Sequence, residues 1–282
     1  MPSHHDVPIL YIARSVRLFA YGALSVILAL YLHEVGLGGG QIGLLFTLTL
    51  AGDAGVSLWI TTTADRIGRK RMLLAGAGLM IMAGAVFSLT GNAVLLTIAA
   101  VIGVISPSGN EIGPFLSLEQ AALSQLLPSE KRTSVFAWYN LAGSLTTALG
   151  ALCGGFLSQW LKQAGLPDLE SYRAVVLGYA ACGIILFLLF LFLSPAVEAE
   201  STASAKERTL GLHSSKGVVL KLSGLFALDA FAGGFVIQSM VAYWFHIKFN
   251  ADAGLLGSIF LERTSLRESR HSWQQASQSG SA

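Results

Sequence analysis

The chain has 282 residues, of which 53% are hydrophobic and only 12% are charged. A soluble domain carries roughly a quarter charged residues, so this composition excludes an ordinary soluble protein. The formal net charge of +2 does not indicate a nucleic-acid partner. We therefore expect an all-α, polytopic membrane protein that is surrounded by membrane lipid.

Three long stretches carry no charge and are long enough to hold membrane-spanning helices. They cover residues 72–110, 133–161 and 174–197. About 20 apolar residues span the hydrocarbon core, so the longest stretch can hold two helices, divided by the turn Thr90-Gly91-Asn92. The sequence predicts seven spans, at residues 9–32, 41–63, 72–90, 94–126, 133–160, 172–194 and 221–247.

Basic residues are concentrated on one side of these spans. Residues 195–220 are polar, charged and small, so they are expected to form a linker outside the membrane. If the N-terminus is cytoplasmic, the outer loops hold only Lys162, Arg173 and Lys248. The inner loops then hold ten basic residues, which are Arg66, Arg69, Lys70, Arg71, Lys131, Arg132, Lys206, Arg208, Lys216 and Lys221. The positive-inside rule predicts this orientation, with the N-terminus in the cytoplasm.

A weak internal repeat relates the first and seventh spans. Leu-Phe-Ala occurs at 18–20 and again at 225–227, and Gly-Leu-Leu occurs at 43–45 and again at 254–256. The offsets of 207 and 211 residues make the seventh span a counterpart of the first. Two parallel repeats of several helices are one architecture of secondary transporters.

The loop after the second span carries the most specific motif. Residues 61–71 read TTTADRIGRKR, which resembles the loop 2–3 motif of the major facilitator superfamily, G-x-x-x-D-R-x-G-R-[KR]. Thr61 replaces the first glycine of that motif. The residues that match are Asp65, Arg66, Gly68, Arg69 and Lys70. The resemblance implies that these five residues act in an inner gate, where charges pair in one state and separate in another.

The same resemblance has consequences for the whole chain. It implies a six-helix bundle at 1–194, the linker at 195–220, and the start of a second bundle at 221–261. It also implies a secondary active transporter of a small solute, anionic or proton-coupled, that works by alternating access without a cofactor and is not an enzyme. Residues 150–155, GALCGG, resemble the family's antiporter motif but have Ala151 where that motif has proline. We prefer the interpretation that Gly150 and Gly154 allow two helices to approach closely.

Ionisable residues inside the spans are expensive to bury, and the default hypothesis is that they line the solute path. The candidates for the substrate or proton path are Arg17, Asp53, Glu111, Glu119 and Asp229. Arg17 could bind an anionic solute or pair with Asp53 or Glu119. Glu111 and Glu119 are eight residues apart on the predicted fourth span, which would place them within about 80° of each other around the helix. That span also contains a proline-rich break at 107–114.

Other polar residues of the spans are assigned structural roles. Arg14 is expected to be an interface anchor whose guanidinium reaches the headgroups. Gln120, Asn140 and Gln238 have lower weight as site residues, because each could simply join two helices. No spacing of histidine, cysteine or carboxylate residues indicates a metal site.

The end of the chain departs from the expected repeat. Residues 255–261 begin an apolar counterpart of the second span, but five charged residues follow within 262–270. A lipid-buried helix cannot hold these charges, so an aborted eighth helix, lying at the outer interface or packed loosely, and a disordered polar tail at 262–282 are expected. Two repeats predict a longer chain, so this chain is expected to be a truncated form that does not transport alone and that self-associates. The alternatives are a non-transporting membrane protein that associates with other membrane subunits, and a seven-helix receptor, which the cytoplasmic N-terminus disfavours.

Overall fold

The computed structural model describes residues 5–109, 113–198, 216–234 and 237–262, and these residues form helices joined by short connections, without a strand. The helices are α1 (Asp6–Glu34), α2 (Gly39–Ile67), α3 (Arg69–Leu89), α4 (Ala93–Ile102), α5 (Phe115–Leu126), α6 (Ser129–Gln163), α7 (Asp168–Leu191), α8 (Lys216–Gly234), α9 (Gln238–Phe249) and α10 (Ala253–Glu262). A short 3₁₀ turn, Pro195–Val197, follows α7. Within the described ranges, α1, α2, α3, α6 and α7 are long and apolar enough to cross a membrane.

The predicted fourth span, 94–126, is not one continuous helix. Asn92 caps the first half, because its side-chain oxygen accepts hydrogen bonds from the backbone N–H groups of Val94 and Leu95. This half, α4, ends at Ile102, and Val104 then adopts a left-handed backbone with φ 55°. The span is therefore broken, as its proline-rich stretch at 107–114 predicts, but the break begins earlier, after Ile102.

The second half of that span, α5, begins only at Phe115. Gly113 has φ +109°, which is not a helical conformation, and Pro114 lacks a backbone N–H. The helix therefore cannot extend toward the N-terminus through these two residues. Glu119 lies on α5, whereas Glu111 lies before it and outside the described residues. The prediction that the two glutamates share one helical face therefore falls partly outside the described residues.

The predicted seventh span, 221–247, is interrupted as well. The helix α8 begins earlier, at Lys216, because the apolar residues 218–220 extend the predicted span toward the N-terminus. It ends at Gly234, the second residue of a glycine pair that is unfavourable in a helix. The chain becomes helical again at Gln238. The predicted linker 195–220 is correspondingly shorter, since it gives up its last five residues to α8 and its first three to the 3₁₀ turn. The predicted tail beyond Glu262 lies outside the described residues.

The first helix lies at the centre of the fold. It packs against α6, α7 and α9, and most of its residues between Leu18 and Leu32 are buried. Outer helices instead carry exposed aromatic residues, such as Trp59, Trp138 and Trp160. Because tryptophan is favoured at membrane–water interfaces and apolar side chains are favoured in lipid, these surfaces are suited to contact with the bilayer.

Glycines bring the backbones of α1 and α6 into direct contact. A Cβ atom on Gly22 would collide with the carbonyl oxygen of Thr147, and a Cβ atom on Gly150 would collide with that of Phe19. A Cβ atom on Gly154 would lie 2.7 Å from the backbone of α1. The preferred interpretation of Gly150 and Gly154, a close helix–helix approach, is confirmed.

Helix α10 packs against a second glycine-containing face of α6. A Cβ atom on Gly155 would collide with the carbonyl oxygen of Ala253, and one on Gly257 would lie 2.6 Å from that of Ala151. Of the two alternatives expected for residues 255–261, loose packing is therefore wrong, and a position at the outer interface stays a prediction. Small residues on both helices give this short segment a close-fitting partner.

Candidate functional site

A buried ion pair joins α1 to α5 inside the bundle. Arg17 Nη1 and Nη2 donate to the two oxygens of Glu119 at 2.6 and 2.7 Å, and both side chains are fully buried. The Tyr139 hydroxyl of α6 donates to Glu119 Oε2, and the Arg17 guanidinium lies 4.6 Å from the ring centroid of Phe115. Two parallel N–H···O bonds between ionised groups are the strong form of this contact. Of the partners considered for Arg17, the structure brings it together with Glu119.

Arg14 lies one helical turn before Arg17 and is also buried, with 6% of its surface exposed. Its Nη2 donates to Asn140 Oδ1 at 3.2 Å, and its guanidinium lies 4.1 Å from the ring centroid of Tyr139. The expectation that Arg14 anchors at the interface is therefore wrong. The physical reason is Gly143 of α6, where a Cβ atom would lie only 2.7 Å from Arg14 Nε. The missing side chain leaves room for the guanidinium between the two helices.

Asp53 lies on α2 beside the break between α4 and α5. It is 3% exposed, and its neighbour Gly52 is in contact with Val101 in the last turn of α4. On the other side of the break, a Cβ atom on Gly113 would lie 3.9 Å from Asp53 Oδ1. Asp53 makes no ion pair with Arg17, and its Oδ2 has no hydrogen-bond partner in the part of the chain that the structure describes.

The remaining predicted candidates are only partly visible. Glu111 lies outside the described residues. Asp229 lies on α8, but the structure does not describe its side chain. Gln238 of α9 donates to the hydroxyl of Ser25 at 2.9 Å, so it does join two helices. Gln120 is half-buried on α5.

The loop between α2 and α3 is built around Gly68. This residue has φ +112°, a conformation that glycine adopts without steric cost, so α3 can begin directly at Arg69. Asp65 Oδ1 accepts from Arg69 Nε at 3.1 Å but stays 67% exposed. Arg69 Nη1 also donates to Gln125 Oε1 on α5 at 3.0 Å, and Arg66 is exposed at the end of α2.

Glu198, directly after the 3₁₀ turn, caps the first turn of α3. Its carboxylate accepts from the backbone N–H groups of Arg69 at 2.6 Å and Lys70 at 3.3 Å. A carboxylate is favourable at a helix N-terminus, where unpaired N–H groups carry partial positive charge. A Cβ atom on Gly68 would lie 3.1 Å from Glu198 Oε1, so the glycine also makes room for the cap.

Sequence reasoning missed Glu198. The signal that could have found it is an acidic residue at the start of the polar segment that follows the sixth predicted span. The positive-inside assignment places that segment on the same side of the membrane as the basic loop.

Two further contacts complete this arrangement. Lys70 Nζ donates to the carbonyl oxygens of Leu191 and Leu193 at 2.8 and 2.7 Å, at the end of α7. Gln125 Nε2 donates to the Glu198 carbonyl oxygen at 2.8 Å. We call Asp65, Arg69, Lys70, Gln125 and Glu198 the loop cluster. It joins the start of α3, the end of α5 and the end of α7 at one edge of the bundle.

Comparison with known proteins decides the family. The model of the Major Facilitator Superfamily matches residues 10–261. The chain belongs to the major facilitator superfamily. It is accordingly an integral, multi-pass membrane protein of a transporter family.

Among curated proteins, the chain is similar to the uncharacterized membrane protein YJR124C of Saccharomyces cerevisiae. The identity is 33% over 285 residues, which covers 90% of this chain and 64% of that protein. It is also similar to the quinolone resistance protein NorA of Staphylococcus aureus, at 23% identity, covering 66% of this chain and 44% of NorA. The chain therefore spans about half to two thirds of the length of these relatives.

Solved structures of transporters share the fold. A D-xylose–proton symporter superimposes with a TM-score of 0.60 at 15% identity, covering 93% of this chain and 66% of the symporter. A bacterial homologue of the human drug peptide transporters PepT1 and PepT2 superimposes with a TM-score of 0.56 at 14% identity, covering 87% of this chain and 53% of that one. At this identity the likeness shows the fold alone.

Proposed function

We propose that the chain acts in a secondary active transporter, which moves a small solute across a membrane by alternating access. The observation that carries the proposal is the loop cluster at the position of the family's loop motif. Its contacts are charge-assisted and lie at helix ends, so they can pair in one conformation and separate in another without disturbing the buried core.

The loop cluster acts as an inner gate in this proposal. Arg69 is the first residue of α3. Its side chain contacts Gln125 of α5, and its backbone N–H donates to Glu198, which follows α7. The exposed carboxylate of Asp65 orients the Arg69 side chain. Exposed ion pairs are worth at most about 1 kcal/mol, which suits contacts that must form and break during transport.

The buried Arg17–Glu119 pair supports a small anionic solute coupled to protons. A guanidinium binds a carboxylate through two parallel hydrogen bonds, and Glu119 uses both in the structure. An anionic solute at Arg17 must therefore replace the Glu119 carboxylate. Proton coupling is supported separately by one transporter of the same fold, which is described as a D-xylose–proton symporter.

The test is reconstitution of the purified 282-residue chain into liposomes with an imposed pH gradient. A panel of labelled sugars, small peptides and small carboxylates is offered, and each is also tested for its effect on thermal unfolding, because a bound ligand stabilises the folded state. We expect stabilisation by at least one class, and uptake by self-associated chains, since a single copy is expected not to transport alone. Asp65→Asn should slow this uptake but leave stabilisation unchanged. An absence of both for every class would overturn the proposal. Stabilisation without uptake would favour the alternative function, a membrane protein that associates with other membrane subunits.

A further inference from the structure

Asp6, in the first turn of α1, holds the segment that follows α7. It is 1% exposed, and its Oδ1 accepts a hydrogen bond from the backbone N–H of Ser194 at 2.9 Å. Its Oδ2 accepts a second hydrogen bond, from the Ser194 hydroxyl, at 2.5 Å. Hydrogen bonds to a carboxylate are stronger than those between neutral groups. One buried side chain therefore binds both donors of a residue that is 188 positions away in the chain.

We call residues 194–198 the strap. At its start, the Ser194 hydroxyl accepts from the backbone N–H of Ala196 at 3.2 Å and so caps the 3₁₀ turn. In its middle, Val197 is fully buried, which fixes the turn against the bundle. At its end, Glu198 caps α3. The strap is therefore a short, packed turn with one end bonded to α1 and the other bonded to α3.

The position of the Glu198 cap depends on the strap. The Glu198 backbone N–H donates to the carbonyl oxygen of Pro195 at 3.1 Å, so this residue continues directly from the 3₁₀ turn. Its carboxylate contacts the first turn of α3, and its carbonyl oxygen accepts from Gln125 of α5. Glu198 is only four positions from Ser194. A displacement of the strap at Asp6 therefore moves the contacts with α3 and α5.

We propose that Asp6 is a positioning residue of the inner gate, which holds the strap in the place from which Glu198 caps α3. The inference rests on the proposed function in one respect, which is that it treats the loop cluster as a gate. Asp6 acts on α3 through the strap, by way of its hydrogen bonds to Ser194. Because α1 also carries Arg17, the strap connects the helix of the buried ion pair to the loop cluster.

The experiment measures backbone hydrogen exchange at the start of α3, in the purified 282-residue chain in detergent. The amides of interest are those of Arg69 and Lys70, which donate to the cap. Asp6→Ala removes both acceptors of the strap, whereas Asp6→Asn keeps one oxygen acceptor and gains a donor. The matched control is Asp168→Ala, which removes an aspartate from the first turn of α7, at the other end of that helix from the strap.

We expect Asp6→Ala to accelerate exchange at the two capped amides by about two- to thirtyfold, which corresponds to the loss of a helix cap. Asp6→Asn and Asp168→Ala should leave both rates nearly unchanged. In a Glu198→Ala background, Asp6→Ala should add no further acceleration, because no cap remains to be positioned. Asp6→Ser has a side chain too short to accept from both donors, and it supplies the same measurement if Asp6→Ala does not fold.

Two results would overturn the proposal. One is exchange at the capped amides in Asp6→Ala and Asp6→Ser equal to that of the wild type. The other is an equal acceleration by Asp6→Ala with and without Glu198, since a general loss of stability would act in both backgrounds.

Uptake into liposomes separates this inference from the proposed function. Asp6→Ala should slow uptake about as much as Glu198→Ala does, and the double variant should be no slower than either. Wild-type uptake by Asp6→Ala, beside slowed uptake by Glu198→Ala, would overturn the role of Asp6 in the gate. A chain that shows the expected exchange pattern but no solute uptake would refute the proposed transport function and leave the positioning of the cap intact.

Discussion

Arg17 on α1 and Glu119 on α5 form a fully buried ion pair, with 2.6 Å between Nη1 and Oε1. Removing one partner of a buried pair leaves the other charge uncompensated, at a cost of about 3–5 kcal/mol. We therefore expect Arg17→Met to destabilise the protein strongly, and the double variant Arg17→Met with Glu119→Gln to recover most of that loss. Thermal unfolding in detergent measures both.

The exposed pair Arg173–Glu170 is the control for this prediction. It joins residues three apart on α7, and 49% of the Glu170 side chain is exposed. Breaking it with Glu170→Gln should change stability by less than about 1 kcal/mol. Equal losses of stability in Arg17→Met and Glu170→Gln would contradict the assigned importance of the buried pair.

Asp65→Asn tests the inner gate. Because Asp65 is 67% exposed and, within the described residues, accepts a side-chain hydrogen bond from Arg69 Nε alone, its replacement should leave thermal stability nearly unchanged. The initial rate of solute uptake should fall, since the Arg69 side chain loses the carboxylate that orients it. Glu170→Gln, a change of the same charge in a similarly exposed pair, should leave the rate unaffected. If the initial uptake rate of Asp65→Asn equals that of the wild type, the loop is an ordinary basic anchor and not a gate.

Glu198→Ala tests the cap on α3. The change removes acceptors from the backbone N–H groups of Arg69 and Lys70, and loss of such a cap costs about 0.5–2 kcal/mol. We expect a lower unfolding temperature together with slower uptake. The matched control is Glu130→Gln, an exposed acid in the first turn of α6. An effect of Glu130→Gln as large as that of Glu198→Ala would show that the cap has no special role.

Gly150→Ala tests the contact between α1 and α6. The added methyl group would collide with the carbonyl oxygen of Phe19, and overpacking of this kind typically costs about 1–3 kcal/mol. Gly178→Ala on α7 is the control, because a Cβ atom there meets nothing within 4 Å. The control should be neutral or slightly stabilising, since alanine favours a helix more than glycine does. If both variants unfold at the same temperature, the two helices are less tightly packed than the structure indicates.

A cysteine at position 204 tests the orientation in the membrane. The ten-to-three distribution of basic residues predicts that residues 195–220 face the cytoplasm. In a chain whose native Cys153 and Cys182 have been replaced, Ser204→Cys should react with an impermeant thiol reagent only after the cells are permeabilised. Labelling of intact cells would reverse the predicted topology.

The long helices could be predicted from the sequence because they depend on composition alone. Predominantly apolar stretches of at least 20 residues favour helices in lipid, and α1, α2 and α3 match the first three predicted spans within a few residues. The turn at Thr90-Gly91-Asn92 was predicted correctly, because Asn92 supplies a local cap. The break between α4 and α5 was visible as a proline-rich stretch, but the left-handed backbone of Val104 depends on tertiary packing.

The site could be predicted only in part, because its contacts join residues that are distant in the chain. The charge of Arg17 and Glu119 marked both as candidates, but nothing local shows that they pair across 102 positions. Arg14 is buried because Gly143 leaves space on another helix, and Glu198 reaches Arg69 from 129 positions away. Patterns of neighbouring residues do not contain such information.

The short helix α5 carries two polar residues, Glu119 and Gln125, that contact other elements of the bundle. Glu119 and Gln125 are six residues apart, which corresponds to about 9 Å along the axis. One end of this distance is bonded to Arg17 in the membrane interior, and the other is bonded to Arg69 and Glu198 at the surface. A helical segment of less than two turns cannot stretch or bend appreciably, so it holds the two contacts at a fixed distance from each other. Under the proposed function, a displacement of the loop cluster would therefore be transmitted through α5 to the Arg17–Glu119 pair, and solute binding at that pair would be transmitted to the loop cluster.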